Sequence, residues 1–326
     1  MKTQPTTRRN FLRLSSAASM SLLLPSSVAA KMKGLRKKVS IGVIADLHAD
    51  IMHDTAERLD VFLKAMEAVK PDALMQLGDF AIPKKQNQPT VDRLNKAHAK
   101  VIHVIGNHDT DGGYTQQQCM QFLGLEKPYY STEVEGLRVI VLDGNEKGSL
   151  NHKGGYPAYI GKTQQAWLDQ ELAKSTAPTV IVSHQALVGP GSVNNAEEIQ
   201  TLLAKYDDRI ILAVNGHVHI DALTMVGKIP YLNINSASYY WVGGKFSHQS
   251  YAPEVHSQHK NISSTCPYRD VLFTTLIFDP ETNTVQVQGR ESKWVGKSPQ
   301  ELGVMDRDGE FSKAVTPQIS ARAMEV

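Results

Sequence analysis

The chain has 326 residues, of which 41% are hydrophobic and 21% charged, a composition that is ordinary for a folded globular protein. It carries 35 basic and 33 acidic residues, for a formal net charge of +2. This near balance disfavours a protein whose main task is to grip duplex nucleic acid, since that task needs a basic face. The two cysteines, Cys119 and Cys266, form no C-x-x-C pair, which disfavours a thiolate zinc site. Whether they join in a disulfide or remain free thiols is left open.

The first thirty residues have the layout of an export signal. Thr7-Arg8-Arg9-Asn10-Phe11-Leu12-Arg13 is followed by an uncharged stretch of mostly apolar or small residues from Leu14, which ends at Val28-Ala29-Ala30, where cleavage would occur. The arginine pair before Asn-Phe-Leu resembles the twin-arginine type of signal, and an ordinary secretory signal is the alternative. We therefore predict a signal peptide over residues 1–30 that export machinery reads, and a periplasmic or secreted mature chain. No other segment has enough apolar length to predict a membrane span.

From residue 39 onward, short apolar runs alternate with stretches of helical spacing. The runs begin at residues 39, 73, 101, 138, 179 and 210, and they predict buried strands. Residues 55–69 place Leu59, Phe62 and Met66 on one face of a predicted helix. Residues 164–174 and 196–206 have a similar spacing. Alternating strands and helices predict an α/β fold.

The C-terminal part has a different pattern. Residues 271–278 and 284–288 flank Asp279-Pro280-Glu281-Thr282-Asn283, which predicts a strand–turn–strand hairpin. We expect this hairpin to belong to a second, more antiparallel sheet. Residues from Pro299 onward are polar and are expected to form a loose tail. The expected organisation is a signal peptide over 1–30, one domain over 31–298 and a C-terminal tail over 299–326.

Five short polar motifs stand where predicted strands end. They are Asp46-Leu47-His48, Gly78-Asp79, Gly106-Asn107-His108-Asp109, Ser183-His184 and Gly216-His217-Val218-His219. Ligands of open α/β sheets bind outside the carboxyl ends of the strands, so we expect the five motifs to converge on one cleft. Aspartate, asparagine and histidine together suit zinc, iron, manganese or similar ions. We expect Asp46 and His48 to point to one side of an extended strand end, as alternate residues do, and likewise His217 and His219.

Each motif alone is a weak signal, but the ordered set resembles the calcineurin-like metallophosphoesterase family over residues 39–219. The resemblance implies a four-layer αββα sandwich of two mixed β-sheets flanked by helices. It also implies two divalent or trivalent metal ions, iron, manganese or zinc, that lie about 3.5–4 Å apart. The family therefore supplies an expected fold class and an expected cofactor.

The resemblance also implies a role for each matched residue. Asp46, His48 and His219 would bind the first ion, Asn107, His184 and His217 the second, and Asp79 would bridge both. His108 would lie beside the scissile phosphate, and Asp109 would be the acidic partner that orients it. The implied enzyme is a phosphoric ester hydrolase in which a hydroxide bridging the ions attacks phosphorus. A purple acid phosphatase would have a tyrosine three residues after the bridging aspartate, and Ile82 occupies that position here.

Several segments between the motifs are rich in aromatic and amide residues. They are Tyr129-Tyr130, Gly154-Gly155-Tyr156-Pro157-Ala158-Tyr159, Asn194-Asn195 and Ser238-Tyr239-Tyr240-Trp241. Such residues beside a metal cleft could stack a base or hold a lipid head group, and simple packing is the alternative. The near-neutral charge disfavours long DNA and a stable nucleic-acid partner. We predict a small, nucleotide-type phosphodiester, phosphoanhydride or phosphomonoester as substrate. The rival functions are a catalytically silent metal-binding module and a polymer nuclease, which would need a basic groove.

Overall fold

The computed structural model describes residues 31–304 and 309–326, so the predicted signal peptide lies outside the described residues. The strands are β1 (Val39–Ile44), β2 (Ala73–Gln76), β3 (Val101–His103), β4 (Tyr130–Val134), β5 (Leu137–Val141), β6 (Thr179–Ser183), β7 (Ile210–Asn215), β8 (Ala222–Val226), β9 (Ile229–Asn233), β10 (Tyr239–Trp241), β11 (Thr265–Pro267), β12 (Thr274–Asp279), β13 (Thr284–Val287), β14 (Arg290–Glu291), β15 (Gln318–Ile319) and β16 (Arg322–Glu325). The α-helices are α1 (Thr55–Val69), α2 (Gln88–Ala97), α3 (Gln116–Leu123), α4 (Lys162–Ala173), α5 (Ala196–Ala204) and α6 (Pro253–Gln258). Among these helices, none combines the length and the apolar character that a membrane crossing requires.

Two six-stranded sheets organise the chain. The first has the order β16-β13-β12-β1-β2-β3, and the second has the order β4-β5-β6-β7-β9-β8. Both sheets are mixed: β1, β2 and β3 run parallel, whereas β12, β13 and β16 are antiparallel to their neighbours. In the second sheet β5, β6, β7 and β9 are parallel, and β4 and β8 are antiparallel at the edges. The predicted α/β fold with two mixed sheets is confirmed.

Alternating side chains on each strand divide the interior into three apolar layers. On β5, Val139 and Val141 pack between the two sheets, whereas Ile140 faces the opposite way, against α4 and α5, as does Leu142 directly after the strand. On the outer face of the first sheet, Ile44 and other apolar residues pack against α1, α2 and α3. The layer order is therefore helix, sheet, sheet, helix. Strands covered on both faces explain why the sequence shows near-continuous apolar runs.

The predicted C-terminal hairpin exists, but its sheet differs from the expectation. β12 and β13 pair as antiparallel strands, with Asp279 opposite Thr284 at the turn. β12 also pairs with β1, with Phe278 opposite Val39, so the hairpin extends the first sheet instead of building a separate one. The reason is burial: Phe278 and Val285 fill the same layer between the sheets as the side chains of β1.

The segment that we expected to be a loose tail is a structural part of the domain. β16 pairs with β13, with Met324 opposite Val285, and Ile319, Met324 and Val326 are buried. Arg322 Nη1 lies 2.6 Å from Asp221 Oδ1, and Asp221 follows the last of the five motifs by two residues. A few apolar residues at spaced positions were enough to add an edge strand, although the segment as a whole is polar.

The ion pair between Arg322 and Asp221 gives a stability prediction. The Arg322 side chain is 18% exposed and the Asp221 side chain is 4% exposed, so Arg322→Met would leave the buried Asp221 carboxylate without its cation. We expect the free energy of unfolding to fall by about 3 kcal/mol, measured by urea denaturation followed by circular dichroism. The matched control is Arg269→Met, because Arg269 and Asp270 are both 56% exposed. That change should cost less than about 0.5 kcal/mol. Equal losses in the two variants would contradict the structural role of Arg322.

The two cysteines do not pair with each other. Cys119 and Cys266 are both free and buried. Burial raises the pKa of each thiol to about 12, so both remain protonated at neutral pH. Of the two alternatives that the sequence left open, the structure has free thiols.

Candidate metal centre

All five polar motifs follow the carboxyl ends of parallel strands. Each strand ends one to four residues before the next predicted site residue; the strands are β1, β2, β3, β6 and β7. The side chains meet at one edge of the sandwich. Two groups result, and within each group the ligand atoms lie within 4.8 Å of one another. The first is Asp46, His48 and His219, and the second is Asp79, His184 and His217. The structure therefore brings these six predicted ligands together in two groups, with Asp79, the expected bridging residue, in the second.

In the first group, a hydrogen bond fixes the tautomer of the His219 ring. His219 Nδ1 lies 2.7 Å from the carbonyl oxygen of Tyr239 and donates to it, which leaves an electron pair on Nε2. That Nε2 lies 3.2 Å from Asp46 Oδ1 and 3.3 Å from His48 Nε2. Three electron-rich atoms thus face one another at short distance. This donor set fits a cation held between them.

The second group is built in the same way. His184 Nδ1 donates to the carbonyl oxygen of Leu77 at 2.8 Å, and its Nε2 faces Asn107 Oδ1 at 3.1 Å and Asp79 Oδ2 at 3.1 Å. The His217 ring packs edge-on against His184, with ring centroids 4.9 Å apart. Asn107 therefore lies where its amide oxygen can join this second donor set.

Asp79 lies between the two groups. Its Oδ2 is 3.1 Å from His184 Nε2 and 3.7 Å from His48 Nε2, so one carboxylate oxygen faces a member of each group. Its Oδ1 accepts a hydrogen bond from the backbone N–H of His108 at 2.7 Å. A position between the two groups fits the bridging role that the resemblance implies for Asp79.

The charges of the site residues favour bound positive charge. Burial is the largest single influence on His184 and lowers its pKa, but the Asp79 carboxylate, Asp46 and the Leu77 carbonyl together raise the pKa, and the balance is a pKa of about 9. Burial alone would raise the pKa of Asp79, but His184 and His48 hold it well below its usual range. Burial and the neighbouring His184 lower the pKa of His217 to about 3. The ionised Asp79 carboxylate and the neutral His217 imidazole are donor types that a divalent metal site uses.

The local backbone differs from the extended strand ends that we expected. Asp46, His48, Asp79, His217 and His219 all have left-handed backbone conformations, with φ between 50° and 68°. Such conformations cost about 1–3 kcal/mol each for residues other than glycine, and they cluster at functional sites. Asp46 N–H and His48 N–H donate to the carbonyl oxygens of Gly78 and Asp79, which holds the two loops together. Turns, and not strand alternation, therefore direct these side chains into the cleft.

Glycine is required at Gly106 by close packing. A Cβ atom at this position would overlap the carboxylate and the backbone nitrogen of Asp79. Without a side chain, the loop after β3 can approach the loop after β2 closely. The approach places His108 N–H against Asp79 Oδ1.

The role expected for Asp109 is not the one that the structure assigns. Its buried carboxylate accepts hydrogen bonds from the backbone N–H groups of Asp79, Phe80, Ala81 and Gly106, at 2.7–3.2 Å. Asp109 thus fastens two metal-site loops together and does not orient His108. Its position next to His108 in sequence is misleading, because adjacent side chains in a helical turn point in different directions.

The carboxylate that contacts His108 is Asp111. Asp111 Oδ2 lies 2.7 Å from His108 Nδ1, and the Tyr156 hydroxyl lies 2.5 Å from Asp111 Oδ1. Asp111 is not among the predicted site residues, although its i, i+3 spacing from His108 was an available signal. Tyr156 belongs to one of the aromatic segments, but no local pattern predicts its contact with Asp111.

Two clefts flank the metal centre and share His48, Asp79, His108 and Trp241. The first, of about 250 Å³, is also lined by Pro190, Gly191, Val218, Tyr239 and Tyr240. The second, of about 360 Å³, is also lined by Asp50, Ile51, Ile82, Lys84, Tyr156 and Asn261. Trp241 is 38% exposed and stands at the junction of the two clefts. A molecule bound at the metal centre could therefore extend in two directions.

Comparison with known proteins agrees with this arrangement. The model of the calcineurin-like phosphoesterase family matches residues 39–221. A probable cyclic nucleotide phosphodiesterase from Synechococcus sp. is 25% identical over 200 residues, which cover 56% of this chain and 73% of that protein. A dimetal phosphatase from Danio rerio has a similar fold, with a TM-score of 0.53 and 15% identity over 79% of this chain and 98% of its own. A purple acid phosphatase from yellow lupin has a TM-score of 0.51 and 14% identity over 88% of this chain and 54% of its own.

Proposed function

The chain belongs to the calcineurin-like phosphoesterase family and is a metal-dependent phosphoester hydrolase, and from that premise we propose that its substrate is a small phosphodiester with a nucleotide-type substituent. The observation that carries the proposal is the pair of clefts on either side of the metal centre. A diester has two substituents on one phosphate, and each cleft would accept one of them. A monoester would use only one cleft.

The charges of the clefts favour a substrate with a single phosphate. Among the described residues that line them, Lys84 is the one lysine or arginine, and its Nζ lies 2.9 Å from Asp50 Oδ1. The second cleft also contains the Asp111 carboxylate. A phosphoanhydride would place a second phosphate where no unpaired cation stabilises it. The charged residues of the clefts also give no support to a polymer nuclease, which would need a row of basic side chains along the path of the nucleic-acid backbone.

Aromatic side chains support a nucleotide-type substituent. Trp241 borders both clefts, and Tyr240 lines the first. A base stacked on an aromatic side chain gains about 1–3 kcal/mol, and every base offers a face for stacking. The relative from Synechococcus sp. is named as a probable cyclic nucleotide phosphodiesterase, which agrees with this substrate class.

The residues of the site have proposed roles in hydrolysis. Asp46, His48 and His219 would hold one ion, Asn107, His184 and His217 the other, and Asp79 would lie between them. Two ions there would stabilise the phosphate oxygens and activate water. As water attacks phosphorus, the bond to the leaving oxygen breaks, and His108 gives that oxygen a proton. His108 suits this task because it borders both clefts and its Nδ1 is held by Asp111.

A hydrolysis panel tests the proposal. The protein loaded with manganese, zinc or iron would be assayed with cyclic nucleotides, bis-p-nitrophenyl phosphate, p-nitrophenyl phosphate and a nucleoside diphosphate sugar. We expect metal-dependent turnover with the highest kcat/KM for a diester. Trp241→Ala should raise KM for the cyclic nucleotide about tenfold or more and leave bis-p-nitrophenyl phosphate less affected. A clear preference for the monoester or the anhydride would contradict the diester proposal.

We also propose that the protein is exported, on the evidence of Arg8-Arg9 and the small residues at 28–30. The same preparation tests this proposal. Protein purified from the periplasmic fraction should begin near residue 31. Recovery of the intact N-terminus from the cytoplasm alone would contradict export.

A further inference from the structure

We propose that Asp111 and Tyr156 are positioning residues that orient the His108 imidazole, so that its Nε2 delivers a proton to the leaving oxygen. The inference rests on the proposed function, because it assigns residues to the proton transfer in that reaction. It also replaces the expected pairing of His108 with Asp109, whose carboxylate is occupied by four backbone N–H groups.

Asp111 is placed by the short helical turn that contains His108. A 3₁₀ turn that begins at His108 kinks at Asp111, three residues later, where the backbone is extended (φ −60°, ψ 154°). Asp111 Oδ2 lies 2.7 Å from His108 Nδ1. Both side chains are about one third exposed, so the pair lies at the edge of the cleft and not in the core. A hydrogen bond from Nδ1–H to a carboxylate fixes both the tautomer and the plane of the ring. Nε2 is then the nitrogen that can face the substrate.

Tyr156 arrives from a distant part of the chain. Its hydroxyl donates to Asp111 Oδ1 at 2.5 Å and also lies 3.1 Å from His108 Nδ1. Its ring lies against the His108 ring, with centroids 4.8 Å apart. On another side, the His48 ring meets His108 edge-on, with centroids 5.3 Å apart. The imidazole is therefore confined between a proposed metal ligand and a tyrosine that also holds its carboxylate partner.

Tyr156 is an exposed residue on an exposed loop, which argues for a role in the site. Residues 150–155 are exposed, and Tyr156 itself is 43% exposed. Its ring covers little apolar surface in the core, so packing alone gives no reason for its contacts with Asp111 and His108. The loop therefore contributes one hydroxyl group and one aromatic wall to the second cleft.

The proposed hydrolysis step conserves protons and electron pairs. Water gives one proton to solvent as its oxygen forms a bond to phosphorus, and the bond from phosphorus to the leaving oxygen breaks with its electron pair on that oxygen. The leaving oxygen takes the proton from His108 Nε2, which solvent later replaces, and Asp111 keeps its hydrogen bond to Nδ1–H. The need for this proton grows as the leaving group becomes more basic. Loss of orientation should therefore harm alkyl leaving groups more than p-nitrophenol.

A double-mutant experiment tests the proposal. Asp111→Asn, Tyr156→Phe and His108→Ala would be compared with Tyr129→Phe, a control whose ring lies against Trp167 and borders a different cleft. Turnover would be measured with a p-nitrophenyl diester and an alkyl diester, together with metal content. For the alkyl diester, we expect kcat to fall about 10- to 100-fold in Asp111→Asn and about five- to tenfold in Tyr156→Phe. The p-nitrophenyl diester should lose less.

The same substitutions in a protein that already carries His108→Ala show whether Asp111 acts only through His108 or supports the site in another way. There, Asp111→Asn should reduce kcat by less than about twofold, because a residue that acts only through His108 has nothing left to orient. Additive losses, or equal losses on both leaving groups, would overturn the proposal.

A second readout does not depend on turnover. In ¹⁵N spectra, the His108 Nδ1–H signal should be visible in the metal-loaded wild type and should be lost in Asp111→Asn. If the wild type hydrolyses no diester but this signal behaves as expected, the proposed function fails and the positioning contact stands. If the signal is unaffected by Asp111→Asn, the positioning proposal itself fails.

Discussion

Asp79→Asn is expected to reduce bound metal from two ions to one or none and to lower kcat/KM for the preferred diester about 10³-fold or more. Asp79 Oδ2 faces His184 Nε2 at 3.1 Å and His48 Nε2 at 3.7 Å, so its charge serves both metal positions. Asparagine keeps the shape of the side chain but removes that charge. Two metal ions supply several kcal/mol of transition-state stabilisation, and each 1.36 kcal/mol is a factor of ten in rate. Metal analysis and diester hydrolysis on the same sample measure both effects.

Substitution by asparagine tests the loss of charge at the metal site without removing the hydrogen bond that holds the neighbouring loop. The Asp79 Oδ1 atom accepts the backbone N–H of His108, and the asparagine oxygen can keep that hydrogen bond. Asp60→Asn is the matched control, since Asp60 lies on α1 and its side chain is 66% exposed. The control should retain both ions and full activity. An Asp79→Asn protein that kept two ions and full turnover would remove the basis for a bridging carboxylate.

His108→Ala is expected to lower kcat about 10²- to 10⁴-fold while metal content stays near two ions per chain. The range is that of general acid–base catalysis by a positioned side chain. His108 borders both clefts, but its side chain belongs to neither group of metal ligands. The Asp79 carboxylate contacts the backbone of His108, which alanine retains. Steady-state kinetics and metal analysis together distinguish loss of a proton donor from loss of the metal centre.

His152→Ala is the control for this prediction, because His152 is exposed on the loop before Tyr156. It should leave kcat within about twofold of the wild type, as surface substitutions usually have small effects. A fall in the metal content of His108→Ala would show that His108 supports the metal site and would contradict its assignment to proton transfer. Equal activity of the two alanine variants would contradict any catalytic role for His108.

The sequence alone was sufficient for the α/β fold and for the set of residues that meets at the metal centre. The apolar runs that begin at residues 39, 73, 101, 179 and 210 became buried parallel strands, because sheets covered on both faces need such runs. Parallel strands place their carboxyl ends at one edge, so polar motifs after those ends had to converge. Asp46, Asp79 and His184 could therefore be assigned to one site from their positions in the chain. Their roles as metal ligands stay predictions, which Asp79→Asn tests.

Conformation at the site could not be read from the pattern. The extended ends that we expected at Asp46-x-His48 and His217-x-His219 are left-handed turns, with φ between 52° and 68°. Most residues avoid this conformation, so a sequence gives little warning of it. It is kept here by contacts between loops, such as His48 N–H to Asp79 O, that exist only after the strands have assembled.

Long-range contacts decided the rest. Tyr156 is 48 residues from His108, and Arg322 is 101 residues from Asp221, so no local spacing connects them. The orientation of side chains in the turn after β3 directs Asp109 to backbone N–H groups and Asp111 to His108. Local sequence determined which strand ends carry polar groups, because hydrophobic periodicity and chain direction are local properties. Only the tertiary structure determined which of those groups touch, because each contact depends on how separate loops pack against one another.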